Sequence, residues 1–436
     1  MPTICFATLG CKVNQVDTAY LTDAFAAAGY DLVAWPGPAD VCIVNTCSVT
    51  ARADRQSRQL VKRARRSNPA SLVVVTGCSP MTADHPETAF AEADLVTGNL
   101  EKDRLLSLLA ALRLGDRRRV VDDIAPADRI QAGGAFELQQ RTRAFLKVQD
   151  GCPGRCTYCI VPRVRGHSRS VAPETALYAV RGLVVLGHRE VVLTGIHLGC
   201  YGEDAPDGRG LAELCRRILA ETDLPRLRIS SLEPNEVTPE LIDLMATNER
   251  FCRHLHIPLQ SGSESVLRRM NRPYTLAAYE ALIRRLRDSV PNITLGADLI
   301  VGFPGEDDAA FAETRQTLER LRLPHWHIFP YSDRPGTPAS AMPGKVSRQV
   351  IHDRAARIRE IVGPHRRAHL EAQIGLTLDV LIETSGADES EGLSRNYLPV
   401  RAAARLESGN ECPLRIVRVV ADDEHPHLLG ELSSSK

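Results

Sequence analysis

The sequence predicts an α/β protein in three parts: an amino-terminal doubly wound α/β sheet, a central run of six strand–helix units, and a small antiparallel β-barrel at the carboxyl end. Three observations carry that prediction. Short, continuously apolar, β-branched runs alternate with helical patterns as far as Leu114. The alternation resumes at Ala144. From Gly375 onward helical periodicity gives way to short β-patterned runs split by Gly, Ser, Asp and Asn. A chain of 436 residues exceeds one ordinary domain. The expected divisions are 1–114, a linker over 115–143, 144–370 and 371–436.

In the first part, Ile4–Gly10 ends at Cys11, Val41–Thr46 at Cys47 and Leu72–Gly77 at Cys78. Each run reads as a strand buried on both faces of a parallel sheet. Helices are expected at Asn14–Ala28, closed by Gly29, and at Thr50–Ser67, ended by Asn68-Pro69. Ligands of doubly wound sheets bind beyond the carboxyl ends of the strands, so the three cysteines can converge on one site. Single thiols such as Cys5 and Cys42 read as ordinary buried residues. The second helix is basic, with Arg52, Arg55, Arg58, Lys62, Arg63, Arg65 and Arg66 against Asp54. Such a run is either a solvated face or a phosphate-binding one. Its sparse apolar positions and its start just past Cys47 make Arg58, Lys62 and Arg65 candidates for nucleic-acid contact. A helix at Leu100–Leu114 then gives way, at Arg117-Arg118-Arg119, to a linker containing Gly133-Gly134 and Gln139-Gln140.

The central strands are expected at Phe145–Gln149, Glu190–Thr194, Arg226–Ser230, His254–Pro258, Ile293–Val301 and His325–Pro330, with helices such as Pro173–Leu186 and Ala278–Asp288 between them. Six units are too few to close an eight-unit barrel. Directly after the first strand comes Asp150-Gly151-Cys152-Pro153-Gly154-Arg155-Cys156-Thr157-Tyr158-Cys159, three thiols spaced C-x3-C-x2-C in a Gly/Pro loop. Three thiolates complete neither a four-coordinate zinc nor all four irons of a cubane cluster. Structural zinc would need a fourth ligand, for which His167 is the one histidine close downstream. A helix over Lys345–Leu370 leads to the tail, where β-runs are expected at Leu376–Glu383, Leu398–Arg405, Leu414–Val420 and Leu428–Leu432.

Hydrophobic content of 43% and charged content of 25% are those of a globular chain with a full core. The start, Met1-Pro2-Thr3-Ile4, lacks the order of a signal peptide. No apolar run approaches the ~20 residues needed to span a bilayer. A cytoplasmic location and no membrane partner are therefore expected, and twelve cysteines in such a chain point to metal ligation rather than disulfides. Lys plus Arg and Asp plus Glu each number 54, so nucleic-acid binding would come from local patches.

The cysteine loop resembles that of the radical S-adenosylmethionine (SAM) enzymes. Leu9-Gly10-Cys11-Lys12-Val13-Asn14-Gln15, Asn45-Thr46-Cys47-Ser48-Val49-Thr50 and Thr76-Gly77-Cys78 narrow the resemblance to the methylthiotransferases, over nearly the whole chain. It implies an open (β/α)6 partial TIM barrel in the centre, a carboxyl-terminal TRAM domain (an OB-like RNA-binding module, with Gly392–Tyr397 at its signature), and two [4Fe–4S] clusters. One cluster would sit on Cys11, Cys47 and Cys78. The other, on Cys152, Cys156 and Cys159, would bind SAM at its open iron and reduce it to methionine and a 5′-deoxyadenosyl radical. The resemblance also makes Tyr158, Gly195, Glu233, Gln260 and Asp298 candidates for holding SAM. His197 and His256 read as bases or as lining residues. Because acidic residues outnumber basic ones in the tail, RNA contact there is expected only around Arg395, Tyr397 and Arg401.

The implied reaction replaces an unactivated C–H by C–S, beyond the roughly 10²–10⁴-fold that acid–base groups supply. One SAM methylates a sulfur at the amino-terminal cluster, a second makes the radical, and the carbon radical takes up the methylthio group. Phe6–Gln15 and Arg163–Ser170 look most like the branch that acts at C2 of N6-threonylcarbamoyladenosine at position 37 of tRNA, in the anticodon loop. Other branches act on isopentenyladenosine in tRNA or on a ribosomal-protein aspartate. An electron donor such as flavodoxin or ferredoxin is implied. A non-catalytic iron–sulfur RNA-binding protein is the reading from another class, and detecting 5′-deoxyadenosine would exclude it.

Overall fold

The structure, a computed structural model, describes residues 1–82, 86–113, 115–125, 130, 142–205, 208–421 and 426–432. The expected linker glycines and glutamines at 133–134 and 139–140 lie outside them.

The described residues form nineteen strands. The amino-terminal sheet holds β1 (Thr3–Thr8), β2 (Asp31–Leu32), β3 (Val41–Thr46), β4 (Leu72–Gly77), β5 (Leu95–Thr97) and β6 (Arg118–Val120) in the order β2-β1-β3-β4-β5-β6, all parallel. The reversal of order at β1/β3 makes it doubly wound. Its core strands are fully buried along β3 and nearly so along β4, as runs of β-branched residues covered on both faces should be. Two helices matter for the site. Helix α1 (Lys12–Ala27) begins directly after Cys11, and α2 (Ala51–Ser67) is capped by the Thr50 hydroxyl, which accepts from Ala53 N. The Arg117–Arg119 stretch, read as the beginning of a linker, instead supplies β6, an edge strand with two exposed arginines that blunt it.

The second body is built on β7 (Arg143–Lys147), followed by the short pair β8 (Gln149–Asp150) and β9 (Arg169–Ser170), then β10 (Glu190–Thr194), β11 (Arg226–Ile229), β12 (His254–His256), β13 (Thr294–Val301) and β14 (His325–Pro330). β11-β10-β7 and β12-β13-β14 form two parallel sheets joined by a Leu227–Phe251 bridge, and β14 does not pair with β7. The result is the open (β/α)6 barrel. Ala144, Leu146, Val191, Leu193, Leu227, Ile229, Leu255, Leu295 and Ala297 pack outward in the largest apolar core. With a side-chain period of two, the intervening residues face the lumen, and these include Arg143, Glu190, Arg226, Arg228, His254, His256, Asp298, His325 and His327.

The third body is a closed barrel of β15 (Thr377–Ser385), β16 (Ser390–Ser394), β17 (Pro399–Ala402), β18 (Glu411–Val420) and β19 (His427–Leu432), in the order β15-β16-β17-β19-β18. β16 was not expected, because Gly392 and its serines mask the strand pattern; Gly392 is required there, since a Cβ would stand 2.3 Å from Leu381 O. No described helix is long and apolar enough to cross a membrane.

Candidate active site

Two cysteine triads follow strand ends beside the junction of the first two bodies, where Cys78 packs against Ile160 and Val164 of the barrel. Cys11, Cys47 and Cys78 follow β1, β3 and β4. Gly10 takes φ of 103°, and a Cβ there would lie 2.8 Å from Cys47 Cβ and 2.9 Å from its Sγ. That position needs glycine on both counts. Cys47 and Cys78 are buried, while Cys11 is exposed at the rim. Asn99 Nδ2 donates to Cys78 Sγ at 3.5 Å and to the Val164 carbonyl of the barrel at 2.7 Å.

The second triad lies in the loop after β8. Gly151 turns it with φ of 83°, so close to the next segment that a Cβ would fall 1.8 Å from His167 O. Donors point at all three sulfurs: Gly154 N to Cys152 at 3.3 Å, Arg272 Nη1 to Cys156 at 3.1 Å and Val161 N to Cys159 at 3.4 Å. His197 Nδ1 stands 3.1 Å from Cys152 Sγ and its other nitrogen meets Glu236. Arg272 also binds Glu233 and reaches the Tyr158 hydroxyl at 3.4 Å.

A buried network ties the triads together. Asp17 of α1 accepts from Lys102 Nζ at 2.6 Å, from Lys147 Nζ at 2.6 Å and from Arg165 Nη1 at 3.1 Å. Arg165 also binds Asp150, at the head of the cysteine loop, at 3.0 Å, and Asn14 of α1. Burial alone would raise the Asp17 carboxyl, but Lys102, Lys147 and Arg165 hold it well below the usual range. In the lumen, Asp298 Oδ1 meets His256 Nε2 at 2.9 Å and His327 Nδ1 at 3.1 Å. Burial pushes Asp298 up, yet those hydrogen bonds outweigh it and bring the carboxyl to about 2.

Models of known families match both halves of this arrangement. The radical SAM superfamily matches residues 146–318, and the uncharacterized protein family UPF0004 matches residues 3–98. The threonylcarbamoyladenosine tRNA methylthiotransferase MtaB of Bacillus subtilis (strain 168) is 35% identical over 92% of this chain and 90% of its own length. The protein of that name from Aquifex aeolicus (strain VF5) is 36% identical over 96% of this chain and 99% of its own. This chain belongs to the radical SAM tRNA methylthiotransferases. A tRNA-2-methylthio-N(6)-dimethylallyladenosine synthase from Moorella thermoacetica (strain ATCC 39073 / JCM 9320) is 34% identical over 89% of this chain and 88% of its own. Among solved structures, the radical SAM methyltransferase TsrM from Kitasatospora setae shares the fold, with a TM-score of 0.58 at 16% identity over 78% of this chain and 77% of that one.

Radical SAM methylthiotransferases work with [4Fe–4S] clusters and SAM. The two triads are a donor set that fits. All six thiols are free, and burial pushes Cys47 up to about 11 and Cys159 up to about 12, with neighbouring thiols adding to the rise. Crowded, desolvated sulfurs of this kind become thiolates when iron takes their protons' place.

The structure brings some of the other expected residues to the methylthiotransferase site and assigns some elsewhere. Tyr158, Glu233 and the cysteine loop meet through Arg272, a residue not singled out in the sequence because nothing in Asn271-Arg272-Pro273 marks it. Gly195 lies 2.7 Å, measured from an added Cβ, from Gln149 Oε1, so part of its requirement is packing. Gln260 holds φ of 67° while its backbone pairs with Asp298 and Ile300, a strained setting that is common at ligand sites. On α2, Arg58 pairs with Asp54 and Lys62 lies 3.9 Å from Glu92. Arg65 is turned inward onto Asp94 and the carbonyls of Glu92, Pro69 and Ser71, so it braces the sheet instead of meeting RNA. The expected RNA face of the small barrel is likewise corrected. Arg395 binds Glu411 and Glu249 O, and Tyr397 stacks on His254 at 4.2 Å and under Arg228 at 5.0 Å. Those residues dock the small barrel onto the large one, leaving Arg401, paired with Glu391, on the surface.

Proposed function

We propose that this enzyme inserts a methylthio group at C2 of N6-threonylcarbamoyladenosine at position 37 of tRNA, in the cytoplasm, with an electron from a flavodoxin- or ferredoxin-type donor. The observation that carries the choice of base is the lumen. Its open wall presents His256, Asp298, exposed His327 and half-buried Lys12, groups suited to a polar, anionic N6 substituent and ill-suited to a branched hydrocarbon. The relatives named for threonylcarbamoyladenosine support the same choice.

Cys152, Cys156 and Cys159 would hold the SAM-binding cluster, and Cys11, Cys47 and Cys78 the second. When bound, the clusters and SAM supply the radical that activates the C–H bond and the sulfur that replaces it. The chain's own part is placement. Arg272 and the Gly154 and Val161 amides donate to the sulfurs of the cysteine loop, which tunes a cluster's potential. Tyr158, Gly195, Glu233 and Gln260, in the loops that follow the strands, would hold SAM, with Asp298, midway along β13, between SAM and the substrate base. Ala51 N donates to Ser332 at 2.9 Å, which sets α2 beside the loop after β14. An anticodon loop docked there can splay one base into the barrel, since sequence-specific RNA recognition favours unpaired loops. Nucleoside mass spectrometry of tRNA from a deletion strain tests the reading. 2-Methylthio-N6-threonylcarbamoyladenosine should vanish and return with the gene; its persistence refutes this base, and loss of the methylthio derivative of isopentenyladenosine would establish the other.

A further inference from the structure

Lys12 follows the first cysteine of the amino-terminal triad and opens α1, yet its side chain leaves that body and enters the barrel. Nζ lies 5.8 Å from the centre of the Phe145 ring. The charges acting on it belong to Arg228, Arg143 and Glu190. All four of those residues point into the lumen from β7, β10 and β11.

The other cations of that wall are committed. Arg226 and Arg228 grip Glu190 at 2.8 and 2.7 Å, Arg143 binds Glu383 at 2.6 Å, and Lys147 is spent on Asp17. Lys12 has no hydrogen bond or ion pair to any of the described residues. It is half-buried, and the nearest fixed charges include two more cations against one carboxylate already shared by three arginines. An ammonium held this way is poorly compensated by the protein alone. A bound anion would complete it.

We infer that Lys12 is the carboxylate-binding residue of the base pocket, pairing with the threonyl carboxylate carried on N6 of the substrate adenine. This deepens the proposed function and rests on it. The chemistry Lys12 recognises, an oxyanion, has two sources in tRNA: the N6 substituent and the backbone phosphates. The lumen position favours the substituent, because a splayed base enters the barrel while its phosphates stay at the rim, where exposed Arg52, Arg55, Lys62 and Arg63 of α2 stand.

The test compares one tRNA in two forms, with N6-threonylcarbamoyladenosine or plain adenosine at position 37, binding to the full-length, anaerobically reconstituted enzyme. The parent should prefer the modified form by about tenfold or more, the range of a desolvated charge pair. Lys12→Met should bring that preference close to unity, with the loss confined to the modified tRNA, and Lys12→Arg should keep most of it. Iron content reports whether Lys12→Met holds its clusters, and Lys12→Gln is the second neutral variant should it lose them. A neutral variant that keeps the full preference overturns the assignment, and so does an equal loss for both tRNAs, which would mark a phosphate contact. A parent enzyme with no preference refutes the threonylcarbamoyl reading itself, and this assignment falls with it.

Discussion

Replacing Asp17 by Asn should loosen the junction between the two bodies that carry the cysteine triads. The carboxylate sits between Lys102 of the amino-terminal body and Lys147 and Arg165 of the barrel, and its side chain and theirs are at most 3% exposed. Without its charge, Lys147 and Arg165 keep only Asp150, and Lys102 keeps no carboxylate, only the Asn99 amide oxygen. Removing one partner of a buried ion pair costs about 3–5 kcal/mol. Because the urea m-value grows with the surface exposed and exceeds the ~1–3 kcal/mol per molar of small proteins, the unfolding midpoint should fall by roughly half a molar or more. Trp35 in the first body and Trp326 in the second report the transition by fluorescence under anaerobic conditions. Asp17 has a depressed carboxyl in the fold, so its stabilisation is complete above the unfolded value near ~3.9 and is lost only as the pH falls through the lower folded value. The penalty should therefore be the same at about pH 6 and about pH 8. Adding Lys102→Met to Asp17→Asn removes one stranded cation, so the double variant should cost less than the sum of the singles. Strict additivity, or a midpoint within about 0.2 M of the parent, would refute the claim that these charges act as one network.

Two further outcomes follow from the same geometry. Cys156→Ala should remove one cluster's iron and abolish SAM cleavage, whereas Cys47→Ser should lose the other cluster, keep 5′-deoxyadenosine formation and stop methylthio insertion; a Cys47→Ser enzyme with full iron and full product would contradict the division of labour. Charge reversal of exposed Arg52, Arg55 and Lys62 should weaken tRNA binding and lower the log–log salt slope by about 0.7–0.9 per lost phosphate contact, while Arg65→Glu, which strands Asp94, should lower stability instead, and unchanged affinity at two salt concentrations for the triple variant would take α2 out of the interface.

Much of this was legible because the local signals were strong. β3, β4, β10 and β14 fall where the apolar runs place them, and each cysteine of the two triads lies at a strand end or in the turn after one. What escaped was of two kinds. Short strands such as Asp31–Leu32 and Leu95–Thr97 carry too little pattern to announce themselves and exist because a neighbour supplies their hydrogen bonds. Long-range polar pairing was the other. Asp17, Lys102, Lys147 and Arg165 lie far apart in the chain, and each alone reads as a surface residue. A signal for the charged lumen was nonetheless present: Arg226-Leu-Arg-Ile, His254-Leu-His-Ile and His325-Trp-His-Ile alternate polar and apolar residues. A fully buried parallel strand would not do so. The polar half of each pair had to face either water or a lined cavity.

That alternation, taken with the network, explains why two α/β bodies are joined as they are. A parallel sheet and a parallel barrel each present their chemistry at the carboxyl ends of their strands, so two such bodies in one chain would ordinarily work as separate sites. Here α1 starts one residue after Cys11, sends Lys12 into the lumen and presents Asn14 and Asp17 to Arg165 and Lys147 of the barrel. Arg165 in turn fixes Asp150, and the Asp150 carboxylate accepts from Gly151 N at 2.8 Å at the entry of the second cysteine loop. One helix thus ties the first triad to the barrel lumen and, through Arg165 and Asp150, to the second cysteine loop. Under the proposed function, with sulfur delivered at one triad and the radical made at the other, both depend on that single register, and the buried charges, costly to separate, are what hold it.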